Sequence, residues 1–289
     1  MLRALLSGPG PVVAPGVYDA LTASLAQEAG FAALYLSGAA VAYTRLGRPD
    51  IGLVSMTEVA ETVASVRDRV GPGLPLVVDA DTGFGNALNA QRTMRLFERA
   101  GASAIQLEDQ TFPKRCGHLR DKALVAPGAM AGKIRAVLDA RASPETLVIA
   151  RTDAVAVEGV DRALDRARLY AEAGADVLFV EAPRSRDDLA RIAGALGPSR
   201  PLVANVVEGG DTPPLTAREL GDLGYRLVIL PGGVVRALAR AAQEYYASLR
   251  RHGSNAPFRE RMLDFPALNG LLGTEAMLAR GAAYDGGEG

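Results

Sequence analysis

The stretch "EAGADVLFVE", residues 172–181, decides the fold. Gly174 ends an amphipathic stretch, four apolar residues follow at Val177–Val180, and a carboxylate closes the run at Glu181. The unit recurs as "EAGFAALYLS" (28–37), "RAGASAIQLE" (99–108) and "DLGYRLVILP" (222–231). In each copy a polar residue or a proline lies seven positions after the glycine. Such a unit reads as a helix stopped by a glycine at its C-terminus, a short turn, and a strand covered on both faces.

Further apolar runs fit between these copies. They give eight strands, near 12–14, 32–36, 74–79, 104–108, 146–151, 176–181, 201–205 and 227–230. Helical periodicity falls between most of them, at 56–70, 88–100, 128–141, 159–173, 185–196 and 216–223. Alternating strand and helix predicts a parallel sheet with crossover helices. Eight such units in about 250 residues predict a (β/α)₈ barrel. A doubly wound open sheet is the rival, but "APGVYDA" after the first strand lacks a glycine-rich phosphate fingerprint. The expected organisation is a single barrel domain over 1–289, with 250–289 as a C-terminal helical extension.

Composition narrows the function. Of 289 residues, 32 are basic and 33 acidic, so no surface for nucleic acid or anionic membrane is expected. No apolar run approaches the ~20 residues of a membrane span. The N-terminal "MLRALLSGPGPVVAPG" is too broken for a secretory signal, and one cysteine cannot form an internal disulfide. A cytoplasmic protein is the expectation.

The predicted strands end in chemistry. Their C-termini carry Ser37, Asp79 with Asp81, Glu108 with Asp109, Arg151 with Asp153, Glu181 and Asn205. Strand ends meet solvent, so one charge there means little. Charges closing consecutive apolar strands point to the catalytic rim of a barrel. In "DADTGFGN" (79–86) the strand gives way to a glycine-rich turn in which two carboxylates can converge. With Glu108 they form a hard-oxygen set suited to Mg²⁺ or Mn²⁺.

"KRCGH" (114–118) follows the fourth strand and holds the lone cysteine, Cys116. A lone cysteine is ordinarily a small buried hydrophobe. Pro113 and Gly117 mark this one as lying in a loop, and Lys114, Arg115 and His118 give it positive surroundings that favour a thiolate and acid–base use. His252, in "RRHGSN", reads as a surface residue.

Together "YLSG" (35–38), "PDIGL" (49–53), "DADTGFGN" (79–86), "QLEDQ" (106–110), "PKRCGH" (113–118), "ARTDA" (150–154), "VEA" (180–182) and "ANVVEGG" (204–210) resemble the isocitrate lyase and phosphoenolpyruvate mutase superfamily. The K-[KR]-C-G-H loop resembles its carbon–carbon lyase branch. The resemblance implies a barrel whose last helix is exchanged between subunits of a homodimer or homotetramer, bound Mg²⁺, a mobile loop bearing KRCGH, and a small carboxylate substrate. It implies that Asp79 holds the metal, with Asp81 and Glu108 directly or through water, and Asp50 behind them. Ser37, Gly38 and Ala39 would bind an α-keto acid, with Arg151 on its carboxylate. Gly117, Glu181 and Asn205 would complete the pocket. Tyr35 would accept the substrate hydroxyl proton, Cys116 would protonate the departing carbanion, and His118 and Arg115, with Lys114 beside them, would keep the thiol reactive and bind the second carboxylate.

Departures bear on the substrate. Val207 stands where methylisocitrate and isocitrate lyases carry a hydroxyl, and Ala39 replaces a glycine common in methylisocitrate lyases. "NVVEGGDTP" (205–213) is closer to dimethylmalate lyases, oxaloacetate hydrolases and carboxyphosphonoenolpyruvate phosphonomutase, while "LPGG" (230–233) lacks the serine of oxaloacetate hydrolases.

Overall fold

The structure, a computed structural model, describes residues 1–117 and 121–285. Eight strands form its centre: β1 (Val12–Val17), β2 (Leu34–Leu36), β3 (Leu76–Asp79), β4 (Ala104–Glu108), β5 (Leu147–Thr152), β6 (Val177–Val180), β7 (Leu202–Asn205) and β8 (Leu227–Leu230). All neighbours pair in parallel, and β1 pairs with β8 through Val12↔Leu227 and Ala14↔Ile229, closing a barrel. The chain is therefore a (β/α)₈ barrel.

The crossover helices start and stop where local chemistry dictates. Asp19, Ser55, Asn86 and Thr216 each cap a helix reciprocally with the residue three positions on. The glycines of the repeated unit, Gly30, Gly101, Gly174 and Gly224, have φ of +82°, +103°, +105° and +110°. Only glycine adopts that left-handed turn without strain, so the repeat is a helix stop at each occurrence.

Two apolar layers result. Outward strand residues such as Leu36, Val78, Leu107 and Val180 pack under helix residues such as Val63, Phe97, Ile134 and Leu189. Inward residues, among them Val77, Ala104, Ile149, Val177, Phe179, Val203 and Ile229, fill the barrel. A short N-terminal helix, Leu2–Leu6, joins this inner layer through Leu2 and Leu6, which are 1% and 2% exposed. At five residues it is too short to show a period in the sequence.

The chain forms two compact units, Met1–Val235 and Arg236–Gly289. In the second, Phe258 is buried, edge-on to Tyr245 at 5.5 Å and beneath the Arg261 guanidinium at 4.5 Å. Helices Phe265–Leu272 and Thr274–Tyr284 follow. No described helix is long and apolar enough to cross a membrane.

Candidate active site

Because all eight strands run the same way, their C-termini deliver Ser37, Asp79, Glu108, Arg151, Glu181 and Asn205 to one rim. Asp79 is the last residue of β3, and the chain then turns sharply, with Asp81 at φ +46°. The Asp81 N–H donates to Asp79 Oδ1 at 3.1 Å, offsetting part of the left-handed strain. This turn makes the two carboxylates converge. Asp79 Oδ2 and Asp81 Oδ1 lie 3.1 and 3.4 Å from one point above the Gly38 backbone, where a side chain on residue 38 would crowd them.

Lys114 reaches into this cluster from the loop after β4. Its ammonium lies 2.5 Å from Asp50 Oδ1 and 2.6 Å from Asp81 Oδ1, and its side chain is 3% exposed. Burial nevertheless outweighs the ammonium at Asp81 and lifts that carboxyl to about 7. Asp79 is raised, and Glu108 well raised, by the same desolvation. Beneath them Tyr35 donates from its hydroxyl to Gln106 Oε1 at 2.9 Å, and Gln106 Nε2 reaches Asp79 Oδ1 at 3.4 Å. Burial, and then the Asp79 charge, push the Tyr35 phenol well above its ordinary pKa, so it is neutral. Gln106, a polar residue inside an otherwise apolar strand, carried the one sequence signal for this layer.

Across the mouth, Arg151 is gripped by Asp153 through Nε at 2.9 Å and an Nη at 3.0 Å. Its guanidinium also lies 3.5 Å from Glu108, 3.4 Å from Glu181, and 5.2 Å from the Phe179 ring centroid. Burial opposes ionisation of Asp153, but Arg151 and Lys122 prevail and hold it at about 2. Asn205 Nδ2 donates to both Glu181 oxygens, at 3.3 and 3.1 Å. Asp153 is itself held from below: its N–H donates to Asp109 Oδ1 at 3.0 Å, while Asp109 Oδ2 accepts from Thr152 and Tyr170, each at 2.7 Å. Asp109 and Asp153 were visible as charges at strand ends, but their structural part was not.

The loop bearing Cys116 is stitched at its base. Thr111 N donates to Ala123 O and Val125 N to Asp109 O, at 2.8 and 2.9 Å. The Gln110 amide brackets Arg115, accepting from its N–H at 2.9 Å and donating to its carbonyl at 2.8 Å. Gly117 is pressed onto the pocket, where a Cβ would stand 2.4 Å from an Arg151 Nη and 2.8 Å from Glu181 Cγ. Cys116 is half-buried. The Arg115 side chain is 46% exposed, 3.4 Å from Asp121. Ser37 is buried, its hydroxyl accepting from Ala40 N at 3.2 Å, with Gly38 buried and Ala39 half-buried beside it. His118 lies outside the described residues.

Charge supplies a test for a metal. Among the described residues seven buried carboxyls, Asp50, Asp79, Asp81, Glu108, Asp109, Asp153 and Glu181, outnumber four buried cations, Lys114, Lys122, Arg151 and Arg166. Among the described residues no donor hydrogen-bonds to the buried Glu108 Oε1. Unbalanced negative charge and an orphaned hard-oxygen acceptor suit a divalent cation. Among the described residues no three acidic, cysteine or histidine side chains are arranged as a metal cage. Two carboxylates, Asp79 and Asp81, do converge, and Mg²⁺ can be held by one or two carboxylates with water and substrate completing its shell.

Comparison with known proteins follows the same lines. The profile of the family described as phosphoenolpyruvate phosphomutase matches residues 2–250. The chain belongs to that family. Within the phosphoenolpyruvate phosphomutase family, it is 41% identical over 274 residues to the 2,3-dimethylmalate lyase of Eubacterium barkeri, spanning 95% of this chain and 93% of that protein. It is 42% identical to the 2-methylisocitrate lyase of Aeropyrum pernix, spanning 94% and 86%. A crystal structure of 2,3-dimethylmalate lyase superposes with a TM-score of 0.92 at 35% identity, covering 99% of this chain and 96% of that one. Oxaloacetate acetylhydrolase bound to 3,3-difluorooxalacetate superposes at 0.92 and 32%, covering 100% and 97%. Phosphonopyruvate hydrolase, solved with oxalate and Mg²⁺, superposes at 0.88 and 32%, covering 98% and 97%.

Proposed function

We propose that this chain is a Mg²⁺-dependent carbon–carbon lyase. Its substrate is a 2-hydroxy di- or tricarboxylate of the alkylmalate or 2-methylisocitrate type, and one product is an α-keto acid such as pyruvate. The observation that carries this reading is the chain's lone thiol, Cys116, on a loop stitched down beside a converging carboxylate pair. A site that only bound a keto acid would not need a thiol there.

Asp79 and Asp81 would hold the metal, with Glu108 reached directly or through water and Asp50 behind them; Mn²⁺ could replace Mg²⁺. A divalent ion held there would supply Lewis acidity toward carboxylate and carbonyl oxygens. The Ser37–Ala39 turn and Arg151 orient the keto-acid half. Tyr35, whose O–H donates to Gln106 Oε1, would accept the substrate hydroxyl proton only as its phenolate, a form that added positive charge nearby would favour. As the substrate hydroxyl proton passes to the Tyr35 phenolate oxygen, the carbonyl forms and the C–C electron pair passes to the carbon beside the second carboxylate. The Cys116 thiol protonates that carbon, with Arg115 and His118 serving the thiol and the second carboxylate. Gly117, Glu181 and Asn205 close the pocket.

The alternative is a phosphonomutase or oxaloacetate hydrolase using the same residues. Val207 and the "EGG" after it favour weighing it, as does 40% identity, over 97% of this chain and 83% of the relative, to the Arabidopsis thaliana carboxyvinyl-carboxyphosphonate phosphorylmutase. The deciding experiment offers the Mg²⁺-loaded protein a panel of alkylmalates, 2-methylisocitrate, isocitrate, oxaloacetate and phosphonopyruvate, and follows pyruvate, glyoxylate and oxalate. Release of a keto acid from a 2-hydroxy acid is expected. Cys116→Ala is expected to lower that turnover at least about 10²-fold. Full turnover by that variant refutes the acid role.

A further inference from the structure

Lys122 is a buried cation outside the KRCGH stretch, and the reaction above does not use it. Its side chain is 1% exposed and sits at the returning base of the loop, next to the Thr111–Ala123 pairing. Among the described residues its ammonium makes two bonds. One goes to Asp153 Oδ1 at 2.9 Å, and the other to the carbonyl of Gly117, the residue immediately after Cys116. We propose that Lys122 is a positioning residue that latches the Cys116 loop shut by tying the Gly117 carbonyl to Asp153.

Three features make this a latch rather than an incidental ion pair. The post is rigid, because Asp153 is clamped by Arg151 from one side and by Asp109 through its backbone N–H from the other. The strike point sits against the pocket, because Gly117 lies where no Cβ fits against Arg151 and Glu181. A buried ammonium without partners is costly, so opening the loop at Gly117 removes one of the two acceptors that Lys122 has in the closed state. Closure and pocket integrity therefore share one residue, Asp153, which holds Arg151 and Lys122 together.

The proposal rests on the lyase reading for its catalytic consequence but not for its loop consequence, and the test separates the two. Cys116 is the only thiol in the chain, so iodoacetamide reports on the loop alone. The full-length Lys122→Met variant keeps the apolar stem and loses the ammonium. Its alkylation rate is expected to rise at least ten-fold over wild type, in buffer and with Mg²⁺ and pyruvate. Loss of a positive charge near a thiol would by itself slow alkylation, so the direction distinguishes an opened loop from an altered thiol. On the best substrate of the panel, kcat is expected to fall at least ten-fold with KM changed less than three-fold. Lys122→Arg is expected to restore slow alkylation. Should Lys122→Met not fold, Lys122→Gln keeps a donor for Asp153 and is expected to give an intermediate rate. Wild-type alkylation in whichever of the two folds overturns the latch, even where lyase turnover is found. Faster alkylation in a protein that turns over none of the panel upholds the latch and removes the lyase reading.

Discussion

Asp153 shows how much of the site is electrostatic design in a place water does not reach. Its carboxyl is held at about 2 because Arg151 and Lys122 outweigh the cost of its burial. A carboxyl depressed from 3.8 contributes stability that is fully present above its unfolded pKa and is lost as pH falls through its folded one. That window runs from about pH 4 down to about pH 2. Asp153→Asn is therefore expected to destabilise the protein by about 2–3 kcal/mol at pH 7, the difference between 3.8 and about 2 at about 1.4 kcal/mol per pH unit. The difference should shrink toward zero near pH 2, as read by urea melts across that range. A penalty constant with pH would assign the loss to packing instead. The sequence exposed Asp153 only as a charge after a strand. Asp79, Asp81, Glu108 and Arg151 were legible because each closes an apolar run. Lys122 was not, because no period or strand end marks it and its partners lie at Gly117 and at Asp153, 31 positions away.

Elements were legible in proportion to their regularity. The strands are buried on both faces, so they write themselves as unbroken apolar runs, and a glycine at φ beyond +80° marks where each helix of the repeated unit stops. Asp153 is also the N-cap of a short helix, Ala154–Glu158, that the sequence did not announce, because Gly159 at φ +88° ends it after five residues. The N-terminal helix escaped for the same reason: at five residues it has no second turn over which to repeat a pattern. Its role is tertiary. Leu2 and Leu6 belong to the apolar layer inside the barrel, beside Val12 and Leu227, and its flanks are tied down by Arg3 to Asp176 at 2.9 Å and by the terminal ammonium to Glu145 at 3.1 Å. The exposed ion pairs add little. The buried leucines carry the attachment, so Leu6→Ala is expected to cost about 2–5 kcal/mol in chemical denaturation, as a cavity that a closed barrel cannot collapse to fill. Glu145→Ala, by contrast, should move the midpoint by less than about 1 kcal/mol.

At the scale of the molecule, barrel closure followed from counting eight strands, whereas assembly is an expectation that comes from the sequence resemblance. The unit Arg236–Gly289 buries Phe258 and little else, while Phe265, Leu278, Met277 and Tyr284 are 82%, 69%, 61% and 81% exposed. Single exposed apolar residues are ordinary, but this density in two short consecutive helices is what an association surface looks like. The sequence resemblance implies a homodimer or homotetramer, and a second copy is expected to meet these helices. Sedimentation equilibrium is expected to return two or four times the chain mass at micromolar concentration. Phe265→Asp combined with Leu278→Asp should shift the protein toward monomer, because two buried charges without partners would oppose each interface. The barrel's own cores do not include these two positions, so the double variant should keep its cooperative unfolding while losing mass. A wild-type protein that sediments as a monomer, or a double variant that sediments as wild type does, would place the contact elsewhere.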